Sequence, residues 1–341
     1  VTWKNCTRKG ALAFVSVLLF APSVHPQTKQ YDLPPVATFS IVAIDPATGQ
    51  LGVAVASRYF SVGSVVPWSE ANVGAVATQA NVNVGYGPRA LELLRAGKSA
   101  PEVLKQLLEE DTFPGKDGRQ VAVIDAKGNI AAYTGPKAPN WAGDKQGKTW
   151  SAQGNILVGP QVPVAIGAAF DATKGELAEK LYAAVKAGDA AGGDSRGKES
   201  ASILVTCKQC GRNINNDRWV YINVDDAPDP FPELRRLLSL ALLNDWQDRS
   251  TKLLNHGKIA DAREAATKAI AYAPERSSAH INLGLLDYAV GDKDGALAEF
   301  RKAKQLEPDF SKQLDAVLQF RPTFNGMLND KVFMEKVNAL Q

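Results

Sequence analysis

The run Thr38-Phe-Ser-Ile-Val-Ala-Ile44, the turn residues Asp45-Pro-Ala-Thr-Gly49 and a second apolar run, Leu51-Gly-Val-Ala-Val-Ala56, constrain this chain most. Two β-branched, apolar, strand-length runs joined by such a turn read as a hairpin of buried type. Val73–Thr78 supplies a third strand. Residues 88–96 and 99–110 carry helical spacing, with Pro88 and Pro101 near the helix starts, Ser99 as N-cap and Gly97 between them. Strands resume at 120–124 and 130–134, joined by Asp125-Ala-Lys-Gly-Asn129. A loop rich in Gly, Lys and Trp follows, then helices over 162–171 and 175–187, then strands over 201–206 and 218–224. Strands, helices and strands again, in blocks rather than strict alternation, predict an α+β layered domain over residues 38–240.

The last third has a different period. In a 34-residue frame starting at Ser277, Gly284, Gly291, Ala296, Phe300, Ala303 and Pro308 fall at positions 8, 15, 20, 24, 27 and 32. The preceding frame puts Trp246, Gly257, Ala262, Ala266, Ala269 and Pro274 at positions 4, 15, 20, 24, 27 and 32 without a gap. Small residues at 20 and 27 let two antiparallel helices approach, and the proline stops the second. This resembles the tetratricopeptide repeat, which has this period and these positions. Two repeats are expected over 243–310, with residues 311–341 as capping helices. Such arrays need about three units, so the repeats are expected to dock on the first domain.

The N-terminus has a third character. Lys4, Arg8 and Lys9 precede the apolar run Ala11–Ala21, which Pro22 interrupts. A positive segment followed by 7–15 apolar residues is the pattern of a secretory signal, and about 20 would be needed to cross a bilayer. Ala21-Pro22-Ser23 offers small residues at the usual cleavage positions, whereas Pro35-Val36-Ala37 satisfies only the last. We therefore expect a signal over 1–23 and a linker or propeptide over 24–37. The expected location is exported, periplasmic or extracellular. The net charge of +3 resides in residues 1–37, which hold four basic side chains and one acidic one. The remainder is neutral and lacks the basic footprint of a nucleic-acid binder. With 45% hydrophobic and 22% charged residues, the chain reads as globular, neither disordered nor a membrane bundle. No nucleic acid is expected as a partner, and no membrane after signal removal.

Several chemistries are disfavoured. The three histidines are His25, His256 and His280, so residues 38–240 contain none. No His-Glu-x-x-His helix and no Gly-x-Ser-x-Gly elbow occur, and Gly192–Gly197 lacks the Gly-Lys-Ser/Thr ending of a phosphate loop. Neither a metal nor a cofactor is expected. Cys207-Lys-Gln-Cys210 is a lone pair where structural zinc wants four ligands. In an exported chain a local disulfide is the favoured reading, with redox or shared-metal roles the others. Hydrolysis without imidazole is still open to an N-terminal Thr, Ser or Cys. Such a residue uses its own α-amine, of pKa about 7.7–8.0, as the base.

The blocks TFSIVAIDPATGQLGVAVASRYFSVGSVVPW (38–68), VGAVATQANVNVGYGPRALELLRAG (73–97), VAVIDAKGNIAAYTG (121–135), SAQGNILVGP (151–160), AGDAAGGDSRGKESASILV (187–205) and NDRWVYINVDDAPDPFPELRRLL (216–238) stand in order. Together they resemble the domain of unknown function 1028 family, which in turn resembles the Ntn-hydrolase (N-terminal nucleophile) superfamily. That resemblance implies a four-layer αββα sandwich and names no substrate. It places Thr38 where the superfamily's nucleophile lies, provided cleavage falls between Ala37 and Thr38. A peptide-bonded Thr38 has no free amine, and its plain reading is a β-branched strand opener. Arg58 is a candidate for orienting a substrate carboxylate or for an ordinary salt bridge. Gln79, Asn81 and Asn155 are candidate oxyanion donors or turn-stabilising amides. Asp194 and Arg196 either line a pocket or close a turn, and Asp225 and Asp226 read as a solvated strand end. The leading expectation is an exported amidohydrolase of a small amide or peptide, with repeats for a protein or peptide partner. A non-catalytic binding scaffold is the alternative, and a homo-oligomer is left open.

Overall fold

The computed structural model describes Val36 and residues 38–340. The expected signal and linker therefore lie outside the described residues, Val36 excepted. In the Asp45–Gly49 turn, the Asp45 carboxylate accepts from the Ala47 N–H (3.0 Å) and the Thr48 hydroxyl (2.8 Å). That turn sets the register of β1 (Thr38–Asp45) against β2 (Gln50–Ser57), from Thr38 opposite Ser57 to Asp45 opposite Gln50. These two strands are the centre of a six-stranded sheet. It is completed by β7 (Gly143–Gln146), β8 (Trp150–Asn155), β9 (Ser200–Thr206) and β10 (Arg218–Val224), in the order β10-β9-β2-β1-β8-β7. A four-stranded sheet runs β3 (Pro67–Glu70), β4 (Gly74–Ala80), β5 (Arg119–Asp125), β6 (Ile130–Thr134). The strand pairs in both sheets are antiparallel.

Side-chain parity sorts the apolar residues into layers. Phe39, Ile41 and Ala43 of β1 face helices α3 (Gln161–Ala172) and α4 (Leu177–Ala190). Val42 and Ile44 face the second sheet, meeting Ala75, Ala77, Ala122 and Ile124. The far side of that sheet, Val76, Val121 and Val123, carries α1 (Tyr86–Arg95) and α2 (Ala100–Glu110). Ser99 and Glu102 form the reciprocal cap that starts α2. The architecture is α+β with antiparallel sheets and a C-terminal helical region.

That region comprises α5 (Pro230–Asn255), α6 (Ile259–Tyr272), α7 (Ser277–Ala289), α8 (Lys293–Leu306), α9 (Phe310–Phe320), α10 (Asn325–Asn329) and α11 (Lys331–Asn338). α5 is one unbroken helix. Phe231, Leu234, Leu238 and Leu242 pack on the six-stranded sheet and Leu254 joins the core of the helical region, so the helix crosses the 240–243 boundary expected from sequence. In α7, a Cβ on Gly284 would lie 2.6 Å from Phe300 and 3.2 Å from the Ala296 carbonyl of α8, so glycine permits that approach. Tyr272 donates to Glu179 of α4 at 3.1 Å, and burial pushes its phenol up to about 12. No helix among the described residues is long and apolar enough to cross a membrane.

His280 in α7 is buried, with Nδ1 2.6 Å from Glu299 and Nε2 2.8 Å from the Pro274 carbonyl. Glu299 raises its pKa, burial opposes, and the Pro274 carbonyl adds to the rise. The pair's contribution is therefore complete below the unfolded value of about 6.5 and is lost as pH rises through the higher folded value. Urea unfolding followed by circular dichroism should show stability declining from about pH 6 to 9, and His280→Gln should flatten that decline.

Candidate functional site

The layer between the sheets changes character along its length. At the end where β1 closes its hairpin it is Val42, Ile44, Leu51 and Val53; at the opposite end it is Thr38, Ser40, Ser57, Gln79, Gln120, Gln153 and Asn155, all buried. Register brings these polar residues together. Thr38 lies opposite Ser57 on one side and Asn155 on the other, and Gln79 is paired with Gln120 in the facing sheet.

Thr38 Oγ1 sits 3.2 Å from Ser57 Oγ and 3.0 Å from the Val36 carbonyl. Gln79 Nε2 donates to the Thr38 carbonyl (3.2 Å) and to Gln120 Oε1 (2.8 Å), while its own Oε1 accepts from Ser40 (2.7 Å). Gln120 is the hub. Its Oε1 also accepts from Asn155 Nδ2 (3.2 Å), and its Nε2 lies 2.8 Å from the Gly154 carbonyl and 2.9 Å from Thr134 Oγ1. On β8, Ser151 Oγ, Gln153 Oε1 and Asn155 Oδ1 are buried without a hydrogen-bond partner. Unpaired buried polar atoms are uncommon and mark places where a ligand or water is bound.

The backbone is strained at the same end. Gln79 is followed by Ala80 at φ 64°, and Asn155 by Ile156 at φ 54°. A β-branched residue in the left-handed region is a clear outlier, held there by surrounding contacts. Here the Ile156 N–H donates to Pro139 and its carbonyl accepts from Ser195, while Ala80 exchanges two hydrogen bonds with Val36. The groups gathered here are hydroxyls and amides. Among the described residues no three His, Cys, Asp or Glu side chains come together as metal ligands.

Comparison with known families decides the kinship. The family of unknown function DUF1028 matches residues 38–234, more than half of the chain. The chain belongs to the DUF1028 family. Protein SPO2555 from Silicibacter pomeroyi, a DUF1028 protein of known crystal structure, is 31% identical to it. The alignment covers 60% of this chain and 89% of that one, with a TM-score of 0.54. No curated protein matches. The matched segment ends in the first turns of α5, so the DUF1028 part is the two-sheet part.

Within it, the structure gathers Thr38, Gln79 and Asn155 at one place. Arg58 and Asp194 meet each other instead: the Arg58 N–H donates to the Asp194 carboxylate at 3.2 Å, and the Arg58 guanidinium reaches the Lys198 carbonyl and Glu199. Asp194 is buried and also takes hydrogen bonds from the backbone and guanidinium of Arg196. Asn81 lies past the strand end, with Nδ2 3.5 Å from the Gly115 carbonyl, outside the amide network. Asp225 accepts from the Ser61 hydroxyl and backbone. Cys207 and Cys210 are joined by a disulfide at the start of the β9–β10 connection. Sequence reasoning missed Ser40, Ser57, Gln120 and Gln153. The available signal was polar residues at alternate positions on strands that otherwise carry apolar side chains.

Proposed function

We propose that this chain, once it begins at Thr38, is an amide hydrolase of the N-terminal-nucleophile type. One observation carries the reading. Thr38 opens β1 with its hydroxyl beside Ser57 Oγ, inside a buried layer of hydroxyls and carboxamides. Residues 38–240 hold no imidazole to serve as base. A threonine so placed needs a base from its own backbone, and a freed α-amine is one. In the proposed reaction Thr38 Oγ attacks the substrate carbonyl carbon and the hydroxyl proton passes to the amine. Gln79 and Asn155 are the candidate donors to the oxyanion. The C–N bond then breaks, the amine returns its proton to the leaving nitrogen, and water hydrolyses the resulting ester to release a carboxylate.

The layering of two sheets between helix pairs supports an αββα Ntn-hydrolase sandwich over residues 38–240. The 34-residue frame over α5 to α8 supports two tetratricopeptide repeats, with an unassigned protein or peptide as their partner. The N-terminal pattern supports export. A second reading, a silent scaffold that binds partners through the helices, is favoured by one feature: Val36 is paired with Ala80 and Thr38 is fully buried in the uncut chain.

The deciding experiment is the intact mass and N-terminal sequence of the protein from its native source, with a screen of N-acyl-peptide anilides. A chain beginning at Thr38 that turns over an anilide supports the hydrolase. A stable chain retaining residues 24–37, inactive on every anilide, overturns it in favour of the scaffold.

A further inference from the structure

Val36 is held as a single antiparallel bridge outside the regular strands. Its N–H donates to the Ala80 carbonyl at 2.9 Å, and its carbonyl accepts from the Ala80 N–H at 3.1 Å. Ala80 is free to do this because β3 pairs with β4 only as far as Ala77, while β5 occupies the other side through Arg119. The side chain of Val36 is 2% exposed and belongs to the apolar cluster between the sheets. Its carbonyl lies 3.0 Å from the Thr38 hydroxyl. Two residues before the nucleophile, the chain thus occupies a strand-pairing edge and an apolar seat at once.

Removal of residues 1–37 takes both partners away. It leaves a buried N–H and C=O on Ala80 without bonds and an apolar seat uncovered, each of which costs free energy until refilled. From this we infer that the seat left by Val36 is the substrate's own, so that the DUF1028 site takes a peptide on the acyl side of the scissile bond. The inference rests on the Thr38 reading above. The peptide adds as a short strand to the end of β4. It carries a branched apolar residue second from the attacked carbonyl, where Val36 stands. A small residue adjoins that carbonyl, as Ala37 does in the sequence.

The test uses the chain beginning at Thr38, released by a protease that leaves a native N-terminus. The ligand is the heptapeptide of residues 31–37, Tyr-Asp-Leu-Pro-Pro-Val-Ala, titrated by calorimetry. Saturable binding is expected. N-methylation at Val36, which removes the donor to Ala80, and Val36→Asp in the peptide should each weaken it about tenfold or more. No binding, or equal binding of all three peptides, overturns the inference. Turnover of unrelated amides without peptide binding overturns the inference and spares the hydrolase. Selective binding without turnover of any anilide keeps the seat and sinks the hydrolase. Should the shortened chain refold poorly, recovery in the presence of the unmodified heptapeptide alone supports the inference, and equal failure with all three overturns it.

Discussion

Thr38→Ala in a chain beginning at position 38 is expected to lose amide turnover by roughly a thousandfold or more while folding normally. The asymmetry has a structural cause. The Thr38 hydroxyl contributes one or two hydrogen bonds to the fold, worth about 1 kcal/mol, whereas it would supply the only nucleophile to the reaction. Thr38→Ser keeps the hydroxyl and should retain most of the rate. The pH profile gives an independent reading. An α-amine must be neutral to accept a proton, so kcat/KM should rise with pH and level off above about 7.7–8.0. Acetylation of the amine should abolish turnover with Thr38 still present. Activity that survives Thr38→Ala would remove Thr38 from the chemistry. The measurement is turnover of the best anilide, with thermal unfolding as the control on folding.

The second large effect falls on stability. Gln120→Leu is expected to destabilise the protein by about 3–5 kcal/mol in urea unfolding. Gln120 Oε1 receives both Gln79 and Asn155, and its Nε2 meets backbone carbonyls and Thr134. Leucine fills the volume but strands buried donors and acceptors on two sheets at once, each costing about 1–3 kcal/mol. Asn81→Ala is the contrasting variant. Its amide makes only a 3.5 Å contact at a strand end, and a loss below about 1 kcal/mol is expected. Equal losses for the two variants would mean that the buried network is not a unit.

Most strands and helices were legible because β-branched runs and helical spacing are local signals. β7 was not. Gly143-Asp-Lys-Gln146 has no apolar residue and was read as loop; pairing with β8 at the sheet's edge makes it a strand. Thr38, Gln79 and Asn155 could be singled out as polar residues at strand ends. Ser40, Gln120 and Gln153 could not, because β1 and β5 are buried on both faces and carry no polar-outward alternation to betray their orientation. Only the apposition of the two sheets shows that those side chains point at one another. The meeting of Arg58 with Asp194 spans 136 residues, a distance no local pattern reports.

The unbroken α5 has a consequence for how such chains can be recombined. Its 26 residues make a beam about 39 Å long, one end seated on a sheet and the other in a helical stack. A graft joined near residue 240 would saw through that beam and leave each half with a raw apolar stripe. A seam placed before Pro230 or after Asn255 instead hands the whole beam to one parent. The exchangeable piece of this architecture is therefore not the stretch that a repeat count marks out, because the first repeat's leading helix doubles as roofing for the sheet beside it.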